Sequence, residues 1–167
     1  MTTEDNPIDI QYAVSAEGVP PEDRLRDWAS LALSGRADTA ELCIRIVDEA
    51  EITALNHQYR GKDYPTNVLS FPYEALPGVE SAQLGDIVIC APVVAREAVE
   101  QDKPVESHWA HMVVHGALHL LGFDHLDAAG ADRMETLETH LLKQLGYPDP
   151  YRPHDSRGIC GRPAFAR

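Results

Sequence analysis

Short stretches rich in apolar residues, most of them alternating with polar ones, predict four β-strands. The first two are IDIQYAV at 8–14 and ELCIRIV at 41–47. The third is NVLSFPY at 67–73, which follows a turn at 61–65. The fourth, GDIVICA at 85–91, is almost continuously apolar, as expected of a strand that is largely buried.

Apolar residues at helical spacing fill most of the chain between and after these strands. Pro20 and Pro21 open a first helix that Gly35 ends, and a second helix spans 49–60. Three more helices are predicted over residues 92–102, 105–121 and 128–145. Some strands are joined through helices and the last two through a loop, so we predict a single α/β domain with a four-stranded mixed sheet and about five helices.

Composition narrows the class of protein without identifying an activity. The formal net charge is −13, with 44% hydrophobic and 25% charged residues, which is typical of a soluble globular domain. No apolar run approaches the roughly 20 residues that span a bilayer. The acidic opening MTTEDNPIDI lacks the layout of a signal peptide, so we expect a cytoplasmic protein without membrane association. Cys43, Cys90 and Cys160 are few and widely spaced, which fits a reducing compartment.

The charge is unevenly distributed along the chain. Residues 152–167 contain four arginines against one aspartate, with Gly, Pro and Ser and no apolar periodicity. We therefore predict a domain over residues 1–151 and a flexible basic tail over 152–167. The tail is either solvated without function or in weak contact with RNA phosphates. The acidic remainder argues against a general basic nucleic-acid binder but says nothing about a local site.

Five of the eight histidines fall between residues 108 and 125. His115 and His119 are four residues apart and share one face of a helix, where two imidazoles can reach one ion. Gly122 is expected to end that helix, so that His125 can fold back as a third ligand. Three neutral imidazoles leave one tetrahedral position for water, the arrangement of a catalytic zinc, and we predict one zinc ion per chain. Zinc can lower the pKa of such a water to about 7.

Neighbouring residues allow more than one interpretation. His111 lies one turn before His115 and either supports a ligand or is an ordinary core histidine. His108, a further turn earlier, is expected on the surface. Asp124 either orients a ligand imidazole through its ring N–H or ends the helix in solvent.

The histidine spacing also matches the zinc peptidase signature H-E-x-x-H-x-x-G-x-x-H. In that signature the residue after the first histidine is the glutamate general base, but here it is Gly116. A peptidase activity is therefore not supported.

Three blocks of sequence together resemble one protein family. HMVVHGALHLLGFDH at 111–125 resembles the signature of the YbeY family, single-strand-specific endoribonucleases that act in rRNA maturation. LNHQYRGKDYPTNVLSFPYE at 55–74 and LGDIVICAPVV at 84–94 are similar to two further segments of that family, and the similarity covers roughly residues 8–151. The resemblance implies an α/β fold, an RNA phosphodiester substrate, 16S rRNA 3′-end processing and ribosome association. It also implies a metal held by His115, His119 and His125.

The second block supplies candidate substrate-binding residues. The planar guanidinium of Arg60 suits bidentate contact with phosphate, although an isolated arginine at a helix end is more often in a surface ion pair. With the resemblance, we assign Arg60 to phosphate binding and count it with His115 as catalytic. Thr66, Asn67 and Ser70 either add neutral donors near a phosphate or base, or form turn and strand-start hydrogen bonds.

The sequence as a whole predicts a zinc-dependent, single-strand-specific endoribonuclease of rRNA maturation and ribosome quality control. Its partners are expected to be single-stranded RNA or rRNA, on ribosomal particles or with a ribosome-associated protein that offsets the acidic charge. The alternative is a non-catalytic ribosome assembly factor whose metal is structural.

Overall fold

The structure, a computed structural model, describes residues 8–15, 17–37, 40–73, 83–123 and 128–151. Its strands are β1 (Ile8–Tyr12), β2 (Glu41–Val47), β3 (Val68–Pro72) and β4 (Gln83–Cys90), and its helices are α1 (Glu22–Leu33), α2 (Glu49–Arg60), α3 (Ala91–Glu100), α4 (Val105–Leu120) and α5 (Ala128–Gln144). Every predicted strand and helix is present, with differences only at the ends of elements. The predicted tail at 152–167 lies outside the described residues.

The four strands form one mixed sheet in the order β1-β2-β4-β3. β1 and β4 both run parallel to β2, whereas β3 runs antiparallel to β4. The parallel pair β1 and β2 is connected through α1, and the antiparallel pair follows directly along the chain. The predicted α/β class and mixed sheet are therefore confirmed.

β3 approaches β4 very closely at Gly85. A Cβ atom on Gly85 would overlap the carbonyl oxygen of Phe71 and would lie 2.9 Å from Cα of Pro72. The backbone φ of Gly85 is 144°, a value that side-chain-bearing residues rarely adopt. Glycine at this position therefore lets β3 lie close to β4.

Alternation along the strands divides the core into two clusters on opposite faces of the sheet. On one face Ile44 and Ile87 pack with residues of α1, α4 and α5. On the other face Leu69 and Val88 pack with residues of α2 and α3. α4 is buried on nearly all sides because it is apolar around most of its circumference. Polar side chains on α4 therefore need partners inside the protein.

Glycines end the two helices that carry the predicted site residues. Gly61 caps α2 in the left-handed conformation, with φ of 71°, and its N–H donates to the carbonyl of His57. Gly122, with φ of 108°, follows α4, and its N–H donates to the carbonyl of His119 over 3.0 Å. The predicted end of the helix at Gly122 is confirmed.

Candidate active site

Helix α4 carries a row of histidines at intervals of about one turn. Ring centroids are 6.4 Å apart for His108 and His111, 6.2 Å for His111 and His115, and 4.9 Å for His115 and His119. The first three are at most 1% exposed, and His119 is partly buried. Since burial of an imidazole is costly without polar partners, the row depends on contacts from other elements.

A buried carboxylate on α5 provides the central contact of this row. Oε2 of Glu138 lies 2.5 Å from Nδ1 of His115, and Oε1 lies 3.5 Å from Nε2 of His111. The hydroxyl of Tyr151 donates to Oε1 of Glu138 and lies 3.2 Å from Nε2 of His111. Glu138 is 0% exposed. Four side chains from α4, α5 and the following segment thus form one polar cluster around the buried carboxylate of Glu138.

The ionisation of this cluster follows from its contacts. Burial by itself would raise the pKa of Glu138, but His115 and His111, through their charges and hydrogen bonds, outweigh it and hold the pKa well below its usual range. Burial lowers the pKa of His111 to about 4, so His111 is neutral at physiological pH. An ionised carboxylate can only accept hydrogen bonds, so Nδ1–H of His115 donates to Glu138, and Nε2 is the ring nitrogen on the side away from the carboxylate.

These contacts fit a metal ion with nitrogen ligands. A carboxylate that accepts from one ring nitrogen is the usual support for a histidine whose other nitrogen binds a metal. The Nε2 atoms of His115 and His119 are both buried, and both side chains line one pocket. The described residues also offer a second donor set that shares His115, since ligand atoms of His111, His115 and Glu138 lie within 4.8 Å of one another. His125 and Asp124 lie outside the described residues.

A pocket of about 290 Å³ brings together residues from three elements. It is lined by Tyr59, Arg60, Ser70, Phe71, His115 and His119, together with apolar residues of β3. The Ser70 hydroxyl donates to the carbonyl of Gly116 over 3.3 Å, which connects β3 to α4 at the pocket. The arginine at the end of α2 and the imidazoles of α4 therefore face a common space. Thr66 and Asn67 are not among the lining residues.

Asn67 has the contacts of the strand-start alternative. Its side chain is 1% exposed, and its amide nitrogen donates to Glu97 of α3 over 3.1 and 3.3 Å. Its backbone carbonyl accepts a hydrogen bond from the backbone N–H of Cys90 over 2.9 Å, so the residue joins the start of β3 to the end of β4.

The expectation that His108 lies on the surface is wrong. His108 is 0% exposed, and its Nε2 lies 2.9 Å from Oε1 of Glu97. The reason is that α4 is buried on almost every side from Ser107 onwards, which places His108 inside the protein. Burial also lowers the pKa of the neighbouring Lys103 to about 8, against the opposing attraction of Glu97.

Gly116 is required by packing rather than by chemistry. A Cβ atom on it would lie 2.7 Å from Cγ2 of Ile87 on β4. The glutamate that zinc peptidases carry at the corresponding position would therefore meet the sheet.

Sequence reasoning missed Glu138 and Tyr151. One signal for Glu138 was available, because the buried residues Gly130, Met134, Glu138, Leu141 and Leu142 recur at helical spacing on α5. A glutamate on a core-facing stripe needs a buried partner. No comparable pattern marks Tyr151.

The fold and the site define an α/β protein with a buried histidine–carboxylate cluster able to hold a metal ion. The sequence matches the family model for Endoribonuclease YbeY over residues 13–146, and the chain belongs to that family. The resemblance seen in the sequence is thus confirmed. Membership makes the chain a nuclease of the hydrolase class with RNA as substrate, in a metalloprotein family that acts in rRNA maturation.

A solved structure shares the fold. The solution structure of TM1509 from Thermotoga maritima, described as VT1, a NESGC target protein, is 24% identical to this chain, with a TM-score of 0.56. The similarity covers 87% of this chain and 99% of TM1509. Among the described residues, none of the helices has the length and apolarity to cross a bilayer.

Proposed function

We propose that this chain is a zinc-dependent, single-strand-specific endoribonuclease that processes the 3′ end of 16S rRNA and takes part in ribosome quality control. The observation that carries the proposal is the pocket in which Arg60 faces His115 and His119, with His115 held by Glu138. A phosphate-binding cation beside metal-binding imidazoles suits cleavage of a phosphodiester.

His115, His119 and His125 are the proposed ligands of one zinc ion per chain. When bound, zinc supplies Lewis acidity and lowers the pKa of a water molecule. Glu138 keeps the proton of His115 on Nδ1 and so directs Nε2 towards the ion. His111 holds Glu138 from the other side, and we assign a similar supporting role to Asp124.

Arg60 binds the scissile phosphate and offsets the negative charge that grows as the phosphodiester is attacked. Ser70 lines the same pocket and adds a hydroxyl near the substrate. Thr66 and Asn67 belong to the same proposed substrate-binding segment. For Asn67 the hydrogen bonds to Glu97 and Cys90 support an indirect role, in which it holds the start of β3 and therefore Ser70 in place.

The formal charge of −13 bears on where such an enzyme acts. An acidic protein attracts free RNA weakly, because non-specific affinity for nucleic acid comes mainly from cationic side chains. We therefore place its action in the cytoplasm, on ribosomal particles or with a ribosome-associated protein that supplies positive surface.

The test is cleavage of single-stranded and duplex RNA by metal-free protein to which one metal is returned at a time. We expect zinc-dependent cleavage of the single strand, lost in His119→Ala and retained in His140→Ala, which alters an exposed histidine on α5. Products that carry a 2′,3′-cyclic phosphate would identify the ribose hydroxyl as nucleophile, and directly formed 5′-phosphates would identify water. Cleavage that survives removal of all metal would contradict the proposal.

A structural metal in a non-catalytic assembly factor is the second candidate. It is favoured by the burial of His111, His115 and Glu138, which are at most 1% exposed and form a donor set within the core. This candidate predicts that removal of zinc lowers the unfolding temperature strongly, while the wild-type protein cleaves neither free nor ribosomal RNA.

A further inference from the structure

A second and larger hollow lies beside the candidate active site and has no role in the function proposed above. It is a groove of about 790 Å³, within the range of about 300–1,000 Å³ that is typical of small-molecule sites. Its floor is the face of the sheet opposite α4, where Gln11, Arg45 and Val88 are neighbours across β1, β2 and β4. We call this hollow the sheet groove.

Two aromatic residues line both the sheet groove and the candidate active site. Tyr59 and Phe71 border each of the two hollows, so the hollows adjoin at these two side chains. The two ring centroids are 5.0 Å apart with an angle of 61° between the planes, an edge-type contact that orients Tyr59. The side chain of Tyr59 nevertheless remains 59% exposed. An exposed ring held by a neighbour is suited to stacking.

The charges of the sheet groove disfavour phosphate. Among the described residues that line it, Arg45 is the only Lys or Arg, and two of its nitrogens lie 2.7 and 3.3 Å from the carboxylate of Glu51. A third nitrogen donates to Gln11 over 3.1 Å. Asp86 adds an exposed carboxylate, and burial together with Asp86 and Asp9 raises the pKa of Cys43 to about 11, which keeps that thiol uncharged. An uncharged, planar, polar-edged group suits this groove better than an anion.

We propose that the sheet groove is a nucleobase subsite, in which a base next to the scissile phosphate stacks on Tyr59. The inference rests on the proposed function, because it takes the phosphate at Arg60 as its starting point. Tyr59 directly precedes Arg60 at the end of α2, so phosphate and adjacent base are received by consecutive residues. Any of the four bases can stack on an aromatic ring in this way, but only when the base is unpaired. Such a subsite therefore agrees with a single-stranded substrate.

The test is a mutant cycle between protein and RNA. Binding of a single-stranded oligonucleotide is measured for wild type and for Tyr59→Ala, and then for oligonucleotides in which one nucleotide at a time is abasic. At one position next to the mapped cleavage site, we expect base removal to weaken wild-type binding roughly 5- to 100-fold and to have little further effect in Tyr59→Ala. Tyr59→Phe and Tyr59→Trp should retain the response.

The matched control is Tyr64→Ala, which removes another exposed tyrosine, 53% exposed, that lines neither hollow. It should respond to abasic nucleotides as the wild type does. If RNA is bound and cleaved but Tyr59→Ala and Tyr64→Ala behave alike at every position, the subsite is wrong and the nuclease function stands. If the wild type neither binds nor cleaves RNA, the function and the subsite are both wrong.

Discussion

Nδ1 of His115 on α4 lies 2.5 Å from Oε2 of Glu138 on α5, and both side chains are at most 1% exposed. The two residues are 23 positions apart in the chain, so the contact exists only because α4 and α5 pack together. An ionised carboxylate at this point determines which ring nitrogen of His115 carries the proton. The orientation of a candidate metal ligand thus depends on the packing of two helices.

Replacement of Glu138 by glutamine tests this dependence. Glu138→Gln keeps the shape of the side chain but removes the charge that holds the proton on Nδ1, so zinc affinity should fall about 10- to 100-fold. Competition with a chromophoric chelator measures the change. The control is Asp132→Asn, which removes the charge of an exposed carboxylate on the same helix and should bind zinc as the wild type does. Equal affinities for all three proteins would show that Glu138 does not support the ligand.

Local pattern was sufficient for some features of this protein and insufficient for others. The strands followed from alternation within a few residues, and the facing pair His115 and His119 followed from the helical period. Glu138 and Tyr151 were missed because their contacts join distant segments. His108 was misplaced because it was judged as a single polar residue near the start of a helix, whereas its burial depends on the packing of α3, with Glu97, against α4.

The contact between α4 and β4 leads to a prediction on stability. Gly116→Ala should destabilise the protein by about 1–3 kcal/mol, because the new methyl group meets the buried, β-branched Ile87. In an Ile87→Ala background the same change should be neutral or stabilising by up to about 1 kcal/mol, the helix preference of alanine over glycine. Urea unfolding of the four proteins measures both effects. A stabilising Gly116→Ala in the wild-type background would contradict the close contact.

Lys103 predicts a dependence of stability on pH. Burial lowers its pKa to about 8 in the folded protein, against 10.5 as the ordinary value. Between these values the unfolded chain binds the proton and the folded protein does not, so this residue makes the fold more stable as pH rises from about 8 towards 10.5. The unfolding free energy of the wild type should therefore rise relative to that of Lys103→Met over this window.

Measuring the difference between proteins removes the contribution of other groups, such as the thiol of Cys90, whose pKa burial raises to about 11. Lys143→Met, an exposed change on α5, should give a curve parallel to that of the wild type. A parallel curve for Lys103→Met as well would show that Lys103 titrates normally.

The predicted domain boundary after residue 151 can be tested beside the role of Tyr151. A chain that ends at Tyr151 should keep its unfolding temperature and zinc affinity, because residues 152–167 have no apolar periodicity that would tie them to the core. Tyr151→Phe should instead cost about 1–3 kcal/mol, since the buried Glu138 loses a hydrogen-bond donor. Tyr73→Phe, at a tyrosine that is 50% exposed, is the control. Loss of cooperative unfolding in the shortened chain would refute the boundary.

Arg60 separates catalysis from metal-dependent folding. Its guanidinium has no lone pair for a metal at neutral pH, yet it lines the same pocket as His115 and His119. Arg60→Ala should therefore keep zinc content and unfolding temperature close to those of the wild type, while RNA cleavage falls by about 10²–10³. Single-turnover cleavage by zinc-loaded protein measures the loss.

The choice of replacement at Arg60 tests how the phosphate is held. Arg60→Lys retains the positive charge but not the planar, two-pronged donor set, so it should restore little of the cleavage rate if the contact is bidentate. Arg133→Ala, which removes an exposed arginine on α5, controls for the loss of one positive charge from an acidic protein and should cleave normally. A surface ion pair would instead be worth less than about 1 kcal/mol of stability and would not affect turnover. If zinc-loaded Arg60→Ala cleaves RNA at the wild-type rate, Arg60 takes no part in the chemistry. If Arg60→Ala is impaired but Arg60→Lys cleaves at the wild-type rate, Arg60 acts only as a point charge.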